Sequence, residues 1–161
     1  MTSEVALAGV PPSGDTWLGL FDGVLPVEEA RKWATRPECG AVVVFTGVVR
    51  DHAEGRDGVT ALTYEAWEDQ AGDRMGAVVE AMRRQWPDVV AAALLHRVGQ
   101  VPLGEPTVVV AVSSGHRDVA FEAARFGIDT LKETVPIWKR EHWAGGSDWA
   151  AADHDLRHVE G

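Results

Sequence analysis

The sequence predicts a single α+β domain whose elements run β-β-α-β-β-α and pair into a largely antiparallel sheet. Four runs rich in β-branched and apolar residues supply the strands, at 40–50, 60–67, 89–99 and 107–114. Two longer stretches, 68–86 and 117–134, carry apolar residues at helical spacing. The links decide the pairing. Within each strand pair the connection is turn-rich and too short to hold a crossover helix, which favours antiparallel neighbours.

In chain order, Pro11, Pro12 and Gly14 mark residues 1–15 as a flexible leader, and the domain is expected over 16–150. Pro26 followed by "VEEARKWAT" reads as a short helix with proline in its first turn. "GAVVVFTGVVR" and "TALTYEAW" read as two strands that form a hairpin around the turn-rich loop "DHAEGRDG". From Glu68 to Trp86, the positions of Ala71, Met75, Val78, Val79 and Met82 give a helix one buried face, and Pro87 ends it. "VVAAALLHRVG" and "TVVVAVSS" are two further strands joined by a turn at Pro102 and Gly104. The next helix, Arg117 to Thr134, has the stripe Ala120, Ala124, Gly127, Ile128 and Leu131. After Pro136, "IWKREHW" is expected to be extended. From Ser147 the chain has four acids against one arginine and reads as solvated, with 151–161 an acidic tail.

Composition narrows the class. The 161 residues suffice for one domain with a real core, and 45% hydrophobic against 25% charged is the balance of an ordinary globular chain. The formal net charge of -10 argues against a nucleic-acid partner, whose binding rests largely on phosphate neutralisation. Any anionic ligand must be held by a local field. No apolar run reaches the ~18 residues of a membrane span, and the first residues lack a basic, apolar targeting segment, so a cytoplasmic protein is expected. The single cysteine, Cys39, excludes an internal disulfide, suits a reducing compartment, and reads as a bland thiol rather than a nucleophile. His154 and His158 have metal-compatible spacing but no third ligand, and His52 has no ligating neighbour, so neither metal nor cofactor is expected.

The stretch "KETVPIWKRE", residues 132–141, sets Lys132, Lys139 and Arg140 around apolar residues. Cations there lose hydration, so the cluster is either a snorkelling surface or a site for an anion. Lys132 at a helix C-terminus also offsets the helix dipole. Lys139 has cationic company, and Glu141 could orient or neutralise it. Trp138 and Trp143 read as core or lid. Arg50 closes an apolar strand, where its guanidinium can grip a carboxylate or phosphate or simply form a surface ion pair. His116 and Arg117 follow "SSG" at a helix start, where free N–H groups favour an anion, although a plain N-cap by Ser114 fits equally well. On these residues alone, a catalytic site, a basic notch that docks an acidic partner tail, and a lysine Schiff-base enzyme all stay open.

Three stretches together, "GAVVVFTGVVRDH", "HRVGQVPLGE" and "SSGHRDVAFEAARFGIDTLKETVPIWKRE", strongly resemble the large, catalytic subunit of molybdopterin synthase over roughly residues 40–150. The resemblance implies an α/β-hammerhead-like fold and a sulfurtransferase of molybdenum cofactor biosynthesis. A small sulfur-carrier subunit, with a thiocarboxylate on its C-terminal Gly-Gly, would insert its tail into this chain. Sulfur would pass twice to cyclic pyranopterin monophosphate, giving the dithiolene of molybdopterin. Carried over by motif, Lys132 and Lys139 are the catalytic residues, and Arg50, His116, Arg117, Arg140 and Glu141 bind substrate. The resemblance also implies a homodimer within a heterotetramer.

Overall fold

The computed structural model describes residues 6–7 and 11–150. The acidic tail, with His154 and His158, and most of the first ten residues lie outside the described range. The elements are β1 (Ala6–Leu7), β2 (Thr16–Phe21), α1 (Val27–Ala34), β3 (Ala41–Val48), β4 (His52–Ala53), β5 (Arg56–Asp57), β6 (Val59–Ala66) and α2 (Glu68–Gln85). They continue with β7 (Val89–Arg97), β8 (Gly99–Pro102), β9 (Pro106–Ser114), α3 (Arg117–Thr134), β10 (Ile137–Trp143) and β11 (Gly146–Trp149). Two larger sheets form, one ordered β1-β2-β7-β9-β3 and one ordered β11-β10-β6-β8. Among the described residues only β1–β2 and β2–β7 pair in parallel, so the α+β, largely antiparallel expectation holds.

The five-stranded sheet is covered on both faces, which explains why its strands read as unbroken apolar runs. Along β7, Ala92 and Leu94 join the core under α2 and α3, whereas Ala91, Ala93 and Leu95 join the core under α1. On β9, Val108, Val110 and Val112 take the first side, and Val109 and Ala111 take the second. Met75, Val78, Met82, Ile128 and Leu131 complete the α2/α3 layer, as their helical spacing requires. Gly127 lets α3 come close: a Cβ there would stand 3.2 Å from Val110 Cγ1 and 2.9 Å from Met82 Cε.

Both long helices, α1, the β7–β9 pair and the extended 137–143 segment form as expected. The expected hairpin between 40–50 and 60–67 does not. β3 pairs with β9 in the first sheet, and β6 pairs with β10 and β8 in the second. The reason lies in the residues: β6 buries Val59, Ala61 and Leu62, while β3 extends the sheet that already holds the unbroken apolar strands. The loop between them folds on itself as the small β4/β5 ribbon. Three more strands depart from the expectation. Thr16–Phe21 lies parallel to β7, Gly99–Pro102 pairs with β6 where only a turn was expected, and Gly146–Trp149 pairs with β10 where solvated chain was expected. Gly19, within "TWLGLF", masks the first of these, because glycine depresses strand propensity.

Candidate active site

A cavity of about 860 Å³ opens between the two sheets at the C-terminal end of α3, within the size range of small-molecule sites. Its wall is built by alternation. On β10, Ile137, Lys139 and Glu141 line the cavity, and on the neighbouring β6 so do their register partners Tyr64 (opposite Lys139) and Leu62 (opposite Glu141). Period-two geometry sends these residues to one face of the sheet. Arg140 therefore goes to the other face, near the Trp149 ring at 5.5 Å, with its Nε enclosed and unpartnered by protein. His142 follows it, with Nε2 2.7 Å from Thr63 Oγ1. Trp138 and Trp149 border the opening, each 45% exposed.

Of the residues singled out from the sequence, Arg50, Lys132, Lys139 and Glu141 meet in this cavity. They arrive from separate elements: Arg50 just past β3, Lys132 from the last turn of α3, and Lys139 and Glu141 from β10. Partial burial holds the Lys132 ammonium below the usual lysine range, and the positive charges of Lys139 and Arg50 push it further the same way. Glu141 is buried, and its carboxylate lies 3.6 Å from Arg56 Nη1 on β5. Arg56 also lies over the Trp143 ring at 3.7 Å, so it clasps the β4/β5 ribbon to β10. Its only sequence signal was a charge in a turn.

His116 and Arg117 do not reach the cavity of their own chain. Both are exposed at the start of α3, the end opposite Lys132. Ser114 does not cap this helix through an N–H group; its hydroxyl donates to the His116 carbonyl, and His116 makes no side-chain cap bond. The first N–H groups of α3 are left without a side-chain acceptor at its N-cap. Cys39 is part-exposed and does not line the cavity.

Among the residues that the structure adds to the site and that sequence reasoning passed over are Tyr64, His96 and Thr107. His96 ends the β7 face that carries Ala92 and Leu94, so it emerges where the α2/α3 layer gives way to open space. It is 6% exposed, its Nδ1 lies 2.7 Å from the Arg97 carbonyl, and its ring meets Tyr64 edge to face at 4.9 Å. Burial pushes the imidazole down to about 4, with the Lys132 charge adding to the fall and the Arg97 carbonyl opposing it. Burial also raises the Tyr64 phenol, an effect that Thr107 beside it partly offsets. A polar residue closing the apolar run "VVAAALLH" was the available signal.

The depressed imidazole makes a stability prediction. The unfolded chain takes up a proton near 6.5 and the folded chain only near 4, so stability conferred by the neutral imidazole is complete above about 6.5 and is lost as pH falls toward 4. The full loss is on the order of 3 kcal/mol at the acid end. Denaturant titrations from pH 7 to pH 4 should show a steeper decline for wild type than for His96→Gln, which has no proton to gain. Equal slopes would contradict the assignment.

Relatives place this arrangement. Residues 22–134 match the family model described as MoaE protein. The chain is 42% identical over 139 residues to a Culex quinquefasciatus protein named molybdopterin synthase catalytic subunit, covering 84% of this chain and 88% of that one. A protein of the same name from Thermoplasma volcanium is 45% identical over 112 residues, with 70% and 80% covered. The crystal structure titled molybdopterin synthase from Staphylococcus aureus superposes with a TM-score of 0.77 at 34% identity, covering 83% of this chain and 96% of that one. This chain belongs to the MoaE family, whose curated members are named molybdopterin synthase catalytic subunit.

Proposed function

We propose that this chain is the catalytic subunit of a cytoplasmic molybdopterin synthase. It would move sulfur from the C-terminal Gly-Gly thiocarboxylate of a small carrier subunit to cyclic pyranopterin monophosphate, forming the dithiolene. One observation carries the reading beyond family membership: a chain of net charge -10 gathers Arg50, Lys132 and Lys139 from three elements into one cavity. Both substrates are anions, one a phosphate ester and one a thiocarboxylate. Three cations converging on one cavity act together on such charges, and Lys132 among them is partly desolvated, which strengthens its pull.

We assign the roles by position. Lys139 activates the carrier's acyl carbon by neutralising the negative charge that develops on its oxygen. Lys132, whose ammonium releases its proton more readily than an ordinary lysine, donates a proton at the pterin and is recharged from solvent. Ile137 and Trp138 give the carrier's tail an apolar path, and glycine at the tail's end keeps that path narrow. Glu141, paired with Arg56, holds β10 against the β4/β5 ribbon. His116 and Arg117, at the far end of α3, serve the cavity of a second copy of the chain, where they bind the substrate phosphate. Arg140 supports β10 from the opposite face.

The test is reconstitution. Purified chain, thiocarboxylated carrier and cyclic pyranopterin monophosphate should together yield dithiolene product. A carrier complex that forms but yields none would make this chain a binding module instead. Within an active system, Arg117→Lys should weaken pterin binding about tenfold, because an ammonium cannot reproduce the guanidinium's paired bonds to phosphate. Carrier affinity should stay at the wild-type value. Titrating each ligand separately checks both.

A further inference from the structure

We propose that His96 recognises the substrate's heterocycle: its Nε2 lone pair accepts a hydrogen bond from an N–H group of the pterin, on the neutral side of the cavity. This rests on the functional reading above and adds to it a specificity residue.

The tautomer is fixed by geometry. A carbonyl oxygen only accepts, so the 2.7 Å contact to Arg97 requires the proton on Nδ1, and a neutral imidazole then has a bare acceptor at Nε2. Among the described residues, no side-chain or backbone group bonds that acceptor. Among the described residues, the enclosed side-chain polar atoms lacking a partner are Trp17 Nε1, Arg97 Nε and Arg140 Nε, and His96 Nε2 is not among them. An atom without a protein partner that is not enclosed must meet open space, and the space His96 borders is the cavity.

The surroundings match one part of the substrate and not the others. Arg50, Lys132 and Lys139 form a cationic side suited to phosphate and thiocarboxylate. Tyr64, His96 and Thr107, from β6, β7 and β9, form a side that carries no charge at neutral pH. The pyrimidine ring of the pterin is planar, uncharged and rich in N–H donors, which a bare imidazole nitrogen can accept and an ammonium cannot. Packing alone would be served by an apolar side chain at position 96. A buried acceptor aimed at a cavity is costly unless a ligand or water meets it. Protonation of His96 would turn the acceptor into a donor and add a fourth cation, so the low imidazole pKa keeps the recognition intact across the neutral range.

Two amide substitutions separate recognition from structure. His96→Asn keeps an amide N–H near the position of Nδ1, for the Arg97 carbonyl, but leaves nothing at Nε2. His96→Gln can place a carbonyl oxygen near Nε2. In the reconstituted system, Asn should raise KM for cyclic pyranopterin monophosphate by about 10- to 100-fold, the scale of one good hydrogen bond. Its carrier affinity should match wild type, and Gln should recover most of the lost pterin affinity. If wild type is active and the Asn variant keeps a wild-type KM, the inference fails while the functional reading stands. If Asn and Gln raise KM equally, or lower melting temperature and kcat together at unchanged KM, His96 is structural only and the inference again fails. If wild type itself makes no dithiolene from thiocarboxylated carrier, the functional reading falls and takes this proposal with it.

Discussion

Replacing Lys139 with alanine is expected to cut sulfur transfer by about 10²- to 10³-fold, the usual loss when one preorganised charge-stabilising group is removed. The chain should still fold and still bind its carrier. Folding is safe because Lys139 is exposed and its backbone pairing with Tyr64 does not depend on its side chain. Carrier binding should persist because the apolar contacts available at the cavity's edge come from Ile137 and Trp138, which stay in place. A second consequence concerns the partner lysine. The Lys139 charge is one of the influences that hold Lys132 low, so its removal should raise the Lys132 pKa and shift the alkaline limb of the residual pH–rate profile upward. Product formation under single-turnover conditions, across pH, reads both effects. Near-wild-type turnover would remove Lys139 from the chemistry.

Mixing His116→Ala with Lys132→Ala protein should restore activity that neither variant has alone. The two residues lie 16 positions apart across α3, which at about 1.5 Å per residue separates them by roughly 24 Å along the helix axis. One small substrate cannot touch both ends. A two-fold dimer that lends the α3 start of one chain to the cavity of its neighbour removes the conflict. A mixed dimer then has one intact cavity and one doubly damaged cavity. With random exchange about half the dimers are mixed, so about a quarter of all cavities are whole. Activity should approach that fraction of wild type. Inactive parents whose mixture stays inactive, with exchange shown by mass spectrometry, would refute a shared site.

The long helices were legible because α2 and α3 repeat their apolar residues with the helical period, and Pro87 and Pro136 punctuate the ends. Strand partners were not. β3 and β6 are neighbours in sequence, yet which sheet each joins depends on what covers its faces, and that is a property of the whole fold. The site divides the same way. Arg50, Lys132, Lys139 and Glu141 stand out as charges beside apolar segments and in motifs shared with a known family. Arg140 shares that motif and charge, and only the strand's alternation shows that it points elsewhere. Tyr64, His96 and Thr107 are single polar residues on three different strands, and no local pattern announces that those strands converge.

The alternation of β10 has a consequence for how this protein can vary. A substitution at one position of the strand alters one side chain, but insertion or deletion of a single residue ahead of Lys139 would exchange the two faces. Arg140, or after an insertion the residue preceding Lys139, would then take the place of Lys139, and the buried carboxylate of Glu141 would turn away from Arg56. Neighbours on both sides, β6 and β11, hold ladder hydrogen bonds that resist a compensating slip. Between Pro136 and Trp143 the chain should therefore accept changes of residue far more readily than changes of length. A library of one-residue insertions and deletions across this segment should be almost wholly inactive, including members that remain folded.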